Sequence, residues 1–222
     1  MMLTSRTWWW NSRPPSSDCA SRFRMWSDPV TEAVQGGGKM LLVSGPSGTG
    51  KSTICKRLGE DPRVVFSVSA TTREPRAGEV DGRDYHFVSK AGFSEMIQAG
   101  EFIEHADVFG NMYGTLRAPM NEAIASGLVF LVEIDIQGAL QLKTLDTPGI
   151  YVFIKPPSLE VLKARLLGRG TESSQVLERR LQKAEDEMRE AGKYDHVIVN
   201  GVLEDAVEEL RVISGLAKET TS

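Results

Sequence analysis

From Lys39 onward, short unbroken apolar runs alternate with stretches whose apolar residues recur at helical spacing. The runs at Met40 to Ser44, Val64 to Ser69, Val129 to Ile134, Ile150 to Ile154 and Val197 to Val199 predict strands. Each is continuously apolar rather than alternating, as a strand covered on both faces requires, and this points to a parallel sheet. Helices are predicted at Thr53 to Leu58, Ala118 to Ser126, Leu159 to Leu167, Val176 to Ala191 and Leu203 to Ala217. The last places Leu203, Ala206, Val207, Leu210 and Ile213 on one face, which is core packing. Strand and helix in alternation give an α/β fold, a parallel sheet with helices on both faces.

Two segments break the alternation. Residues 70–90 carry Arg73, Glu74, Arg76, Glu79, Asp81, Arg83 and Asp84, and a small strand-like and helical unit follows to about Gly114, so this part reads as an insertion into the sheet topology. Between Arg165 and Arg180, arginines recur around Gly168-Arg169-Gly170, the pattern of a flap with a cation at its tip. Residues 1–38 show no period: Trp8-Trp9-Trp10, Pro14-Pro15, scattered serines and arginines, then Gly36-Gly37-Gly38. They read as a disordered tail, as sequence upstream of a true start at Met25 or Met40, or as an organelle transit segment.

Composition narrows the partners. With 222 residues, 25% of them charged and a formal net charge of −4, the chain lacks the basic surplus of a nucleic-acid or anionic-membrane binder. No apolar run approaches the ~18 residues of a membrane span, and no secretory signal is present, so the expected compartment is the cytoplasm, or an organelle if residues 1–38 are a transit peptide. Cys19 and Cys55 form neither a disulfide framework nor a metal set, and His86, His105 and His196 show no ligand spacing.

The candidate chemistry centres on Gly45-Pro46-Ser47-Gly48-Thr49-Gly50-Lys51-Ser52, set between the first strand and the helix from Thr53. The pattern is that of a phosphate-binding loop: glycines let backbone N–H groups turn around an anion, Lys51 reaches the β- and γ-phosphates of a triphosphate, and the Ser52 hydroxyl ligates Mg²⁺. The strand, loop and helix occur in the order such a loop requires. Arg73 and Arg76 lie three apart in a loop stiffened by Pro75 and can converge on a second anion, with Tyr85 and Tyr113 as phenolic donors, which implies a phosphorylated acceptor. Glu133 and Asp135 close an apolar strand, where they either face metal and acceptor or merely solubilise its end. Arg165, Arg169 and Arg180 either neutralise a transferring phosphoryl group or lie on a solvated helical face.

Taken in order, SGPSGTGKST (44–53), SVSATTREPRAGEVDGRDYHF (67–87), EFIEHADVFGNMYGT (101–115), EIDIQGA (133–139), GRGTES (168–173) and HVIVN (196–200) closely resemble guanylate kinase over about residues 39–217. The resemblance implies Mg²⁺-dependent phosphoryl transfer from ATP to GMP or dGMP. It implies a core at 39–70, 117–164 and 192–222, a GMP-binding subdomain at 71–116, a helical lid at 165–191 and an extension at 1–38 outside the family core. Gly45 to Thr53 would bind ATP, while Ser69, Arg73, Arg76, Glu79, Tyr85, Glu104, Tyr113, Thr115, Glu133 and Asp135 fall where the family binds GMP. Among these, Arg73, Arg76, Tyr85 and Tyr113 would hold the phosphate. Glu104, helped by Asp135, would take guanine N1–H and the amino group, and Ser69 and Thr115 the O6 side. Arg165, Arg169 and Arg180 match the lid arginines. Some relatives carry aspartate at Glu133 and serine at Thr115, changes that keep the functional group, and Gly201 stands where aspartate is common. Scaffold domains of the same fold bind peptides and have degraded loops; here Gly45 to Ser52 is intact. A relative acting on another phosphorylated acceptor would not need Glu104, Ser69 and Thr115. Oligomeric state is not legible in the chain.

Overall fold

The computed structural model of the chain describes residues 37–108, 110–167 and 174–217. The expectations for residues 1–36 of the 1–38 extension and for Arg169 fall outside them. The core sheet comprises β1 (Lys39–Ser44), β2 (Val64–Phe66), β7 (Val129–Glu133), β8 (Ile150–Lys155) and β9 (His196–Val199). Their order is β2-β7-β1-β8-β9 and every pairing is parallel. Helices connect them: α1 (Lys51–Leu58), α3 (Arg117–Ala125), α4 (Ile136–Thr144), α5 (Leu159–Leu167), α6 (Ser174–Arg189) and α7 (Leu203–Ile213).

The period of two along each strand divides the core cleanly. Met40 and Leu42 of β1, Phe130 and Val132 of β7, and Tyr151 and Phe153 of β8 point to one face, where Met120 and Ala123 of α3 and Ile136, Ala139 and Leu142 of α4 cover them. Leu41, Val43, Val129, Leu131, Val152 and Ile154 point the other way onto Ile54, Cys55 and Leu58 of α1 and Ala206 and Leu210 of α7. Both faces of β1, β7 and β8 are therefore dry, which is why these strands read as unbroken apolar runs, while the edge strand β9 leaves Val197 and Val199 exposed on one face.

The insertion forms a second sheet from β3 (Ala70–Thr71), β4 (His86–Phe87), β5 (Phe102–Val108) and β6 (Asn111–Leu116), in the order β4-β3-β6-β5, with β3 and β4 parallel and the other pairs antiparallel. Helix α2 (Lys90–Gln98), N-capped by the Ser89 hydroxyl, packs Phe93 against Phe102 with ring centroids 4.5 Å apart. Among the described residues no helix is long and apolar enough to cross a membrane.

The structure departs from the sequence pattern in three places. Strand β2 ends at Phe66, three residues short of the predicted Ser69, because the chain leaves the core sheet there for the second one. Helix α7 stops at Ile213 where Gly215, at φ 72°, turns the chain. Helix α4 is not among the predicted helices; Asp135 caps it, its carboxylate accepting from Gly138 N–H at 2.8 Å.

An ion-pair strap ties the start of β2 to the C-terminal helix. The Asp61 carboxylate, only 6% exposed, accepts from Arg63 Nη2 at 2.9 Å and Arg211 Nη1 at 2.6 Å, and Arg63 also donates to the Leu216 carbonyl at 2.9 Å. Hydrogen bonds from Arg63 first, then Arg211, hold the Asp61 carboxyl well below the usual carboxylate range. Because its folded value is depressed, its contribution is present above the unfolded value of about 4 and is lost as pH falls through the folded one. Without Asp61, Arg63 is half exposed and keeps the Leu216 carbonyl, and Arg211 keeps Glu208 at 3.8 Å, so the loss is that of the bridging hydrogen bonds. Asp61→Ala should accordingly lower the unfolding free energy by about 1 kcal/mol in urea titration at neutral pH; an unchanged midpoint would show that the strap holds nothing.

Candidate active site

The phosphate loop leaves the carboxyl end of β1, where Val43 is in register with Glu133 of β7. Gly50 precedes α1 at φ 90°, and no side chain caps the first amides of that helix, so its N–H groups and positive dipole end are open to an anion. The loop is braced from behind: Thr49 Oγ1 donates to the Pro46 carbonyl at 2.9 Å, and Asn200 Nδ2 donates to the Thr49 carbonyl at 2.7 Å. The Lys51 ammonium donates to the Gly45 and Pro46 carbonyls. Burial lowers its pKa, and the charges of Glu133 and Glu187 oppose that shift. Ser52 Oγ donates to Glu133 Oε1 at 2.6 Å.

Between β3 and β4, Arg73 Nη2 pairs with Glu79 Oε1 at 2.9 Å, and Glu79 Oε2 accepts from the Arg76 N–H at 2.7 Å. The Arg73 guanidinium lies 5.3 Å from the Tyr85 ring centroid, and the Tyr85 and Tyr113 rings are 5.9 Å apart, edge to face. The carboxylate of Glu79, then Tyr113, pushes the Arg73 pKa further up, so its charge is fixed. Arg76 is exposed at the rim of this cluster. Ser69, half-buried, stands just before β3, where its carbonyl accepts from His86 N–H at 2.9 Å.

Deeper in, Glu104 of β5 and Thr115 of β6 are register partners, and the Thr115 hydroxyl donates to Glu104 Oε1 at 2.6 Å. Glu104 is 6% exposed and Thr115 fully buried. Burial raises the Glu104 pKa; the hydrogen bond from Thr115 opposes that shift and the charge of Asp135 adds to it. Asp135 itself is exposed and serves as the cap of α4.

The guanylate kinase family model matches residues 37–214. Among curated relatives, guanylate kinase of Clostridioides difficile is 46% identical over 186 residues, covering 83% of this chain and 91% of its own. That of Gloeobacter violaceus is 50% identical over 171 residues, covering 77% and 83%. The crystal structure of guanylate kinase from Anaplasma phagocytophilum superposes with a TM-score of 0.65 at 34% identity, covering 84% of this chain and 90% of that one. The chain belongs to the guanylate kinase family. It is thus a nucleoside monophosphate kinase on a P-loop α/β fold.

Of the three arginines expected in a lid, Arg165 at the end of α5 donates to the Asn200 carbonyl at 2.9 Å and to the Thr49 carbonyl at 3.4 Å, beside the phosphate loop. Arg180 is half-buried on α6, a helix held to α5 through Leu162, Leu166, Leu177 and Ala184. Arg169 lies outside the described residues. Sequence reasoning gave no structural part to Asn200, although a buried asparagine closing the apolar run HVIV is the signal of a polar group with a fixed partner. Mg²⁺ fits here: it takes one or two protein oxygens beside phosphates and water, and Ser52 Oγ with Glu133 Oε1 offers such hard donors. Among the described residues no group of three or more His, Cys, Asp or Glu forms a metal cage.

A Cβ at Gly50 would stand 2.3 Å from Asn200 Nδ2 in a left-handed backbone. Gly50→Ala should therefore weaken binding of a non-hydrolysable ATP analogue by at least about tenfold in calorimetry, whereas unchanged affinity would mean that Asn200 yields at no cost to the loop.

Proposed function

We propose that the chain transfers the γ-phosphoryl group of Mg²⁺-bound ATP to GMP, and to dGMP, giving ADP and GDP. The observation that carries the choice of acceptor is the Glu104–Thr115 pair. A carboxylate stripped of water and held by a single hydroxyl needs further N–H donors, and guanine supplies two side by side at N1 and N2. Thr115 spends its hydroxyl hydrogen on Glu104 in this geometry, which leaves Ser69 as the hydroxyl donor for O6. Adenine has no N1–H, so accepting AMP would leave Glu104 unpaired, a mismatch worth roughly 10⁴-fold in discrimination.

In this reading Gly45 to Thr53 cradle the ATP phosphates, with Lys51 exchanging its loop carbonyls for phosphate oxygens. Ser52, with Glu133 behind it, would hold Mg²⁺, which would neutralise charge on the phosphates. Arg73, kept charged and oriented by Glu79, joins Arg76, Tyr85 and Tyr113 on the GMP phosphate. Arg165, Arg169 and Arg180 stabilise the charge spread over the moving group. The acceptor oxygen is already anionic, so no general base is required. Closing the site excludes water as a competing acceptor.

A coupled ADP-release assay with GMP, dGMP, AMP, CMP and UMP side by side tests the assignment: guanine nucleotides alone should turn over, and comparable rates with AMP would overturn it. Lys51→Ala should cut kcat by about 10³-fold in folded protein. Glu104→Gln should raise KM for GMP by roughly tenfold to a hundredfold, leaving KM for ATP in place. Because burial raises the Glu104 pKa, its protonation should add to the climb of KM for GMP on acidification from a higher pH than an ordinary carboxylate would give, and that part of the limb, beyond the protonation of the GMP phosphate, should vanish in Glu104→Gln.

A further inference from the structure

Gly138 is the third residue of α4 and is buried. The backbone does not ask for glycine there: Gly138 is absent from the positive-φ glycines, and glycine is the poorest helix former apart from proline. What singles it out is space. A Cβ on Gly138 would stand 2.9 Å from Glu104 Oε2, 3.4 Å from Glu104 Cδ and 3.3 Å from Ile134 Cδ1.

Neither side of that contact is at liberty to retreat. Glu104 is 6% exposed, its Oε1 takes the Thr115 hydroxyl at 2.6 Å, and its backbone is in register with Thr115. The first turn of α4 is pinned by the Asp135 cap on Gly138 N–H at 2.8 Å, and Ile136, Ala139 and Leu142 anchor the helix in the core. We infer that Gly138 is a specificity-determining position: the space left by its missing side chain seats the second oxygen of Glu104 and so fixes where the base-reading carboxylate stands. This rests on the reading of Glu104 as the guanine acceptor. Oε1 is already engaged by Thr115, so Oε2 is the oxygen with lone pairs to offer the parallel N1–H and N2–H donors. A methyl group at 138 displaces the atom whose position sets that match.

Gly138→Ala should raise KM for GMP by roughly tenfold or more, since sub-ångström misplacement of a positioning group has large effects. The preference for GMP over IMP, which lacks the 2-amino group, should fall with it. Turnover at saturating GMP and KM for ATP should hold, and the melting temperature should fall only slightly, because the better helix propensity of alanine offsets part of the overpacking at the contact. A merely structural glycine would move all of these together. In a Glu104→Ala background the added methyl has no carboxylate to meet, so Gly138→Ala should add no further loss.

If Glu104→Gln leaves KM for GMP unchanged, the reading of the base site fails and takes this inference with it. If Glu104→Gln raises KM and Gly138→Ala does not, the inference about Gly138 alone is overturned. An equal rise from Gly138→Ala in the presence and absence of the Glu104 carboxylate overturns it too. Should Gly138→Ala lower the melting temperature, restoration by Glu104→Ala supports the contact, and a loss that persists in the double variant refutes it.

Discussion

The parallel register of β1 against β7 is the constraint on which the rest depends. With Val43 opposite Glu133, the phosphate loop and the acidic strand end emerge side by side, and Ser52 reaches Glu133 at 2.6 Å without any long side chain having to bridge. Parallel strands buried on both faces do not slip, since a shift of one residue would exchange Met40 and Leu42 with Leu41 and Val43 and misplace both halves of the core. The hydrophobic pattern therefore sets the geometry of a polar site.

The second sheet reaches this frame through α4. Its helix follows β7 directly, is capped by Asp135, and packs beside β5, the strand that carries Glu104. One short helix thus joins the strand that ends in Glu133 to the strand that carries Glu104. The electrostatics differ accordingly: Glu79 sits against a guanidinium with its pKa lowered, while Glu104 is buried against a hydroxyl with its pKa raised. Of these two carboxylates, one positions an arginine and the other stands ready to accept.

Much of this was legible in the chain. The unbroken runs MLLVS and VFLVE fixed a parallel sheet, and Gly45 to Ser52 named its phosphate loop, because burial on both faces and a glycine-rich turn each leave a local signature. Pairing was not legible in the same way. Nothing local to Glu104 or Thr115 says that they face one another; that follows from the β5–β6 register. Helix α4 escaped notice because it is short and carries Gly138 near its start, so its periodicity is weak, and Asn200 because its partner lies 151 residues away. Polar contacts across long sequence separations are set by topology, which no local pattern encodes.

The Lys51 ammonium and the Ser52 hydroxyl are both already bound to the protein, one on loop carbonyls and the other on Glu133. A free lysine side chain carries about 2 kcal/mol of rotamer entropy. Much of that freedom is already spent in these contacts, so in the proposed function nucleotide entry would be an exchange of partners between ordered groups, with little new ordering to oppose it.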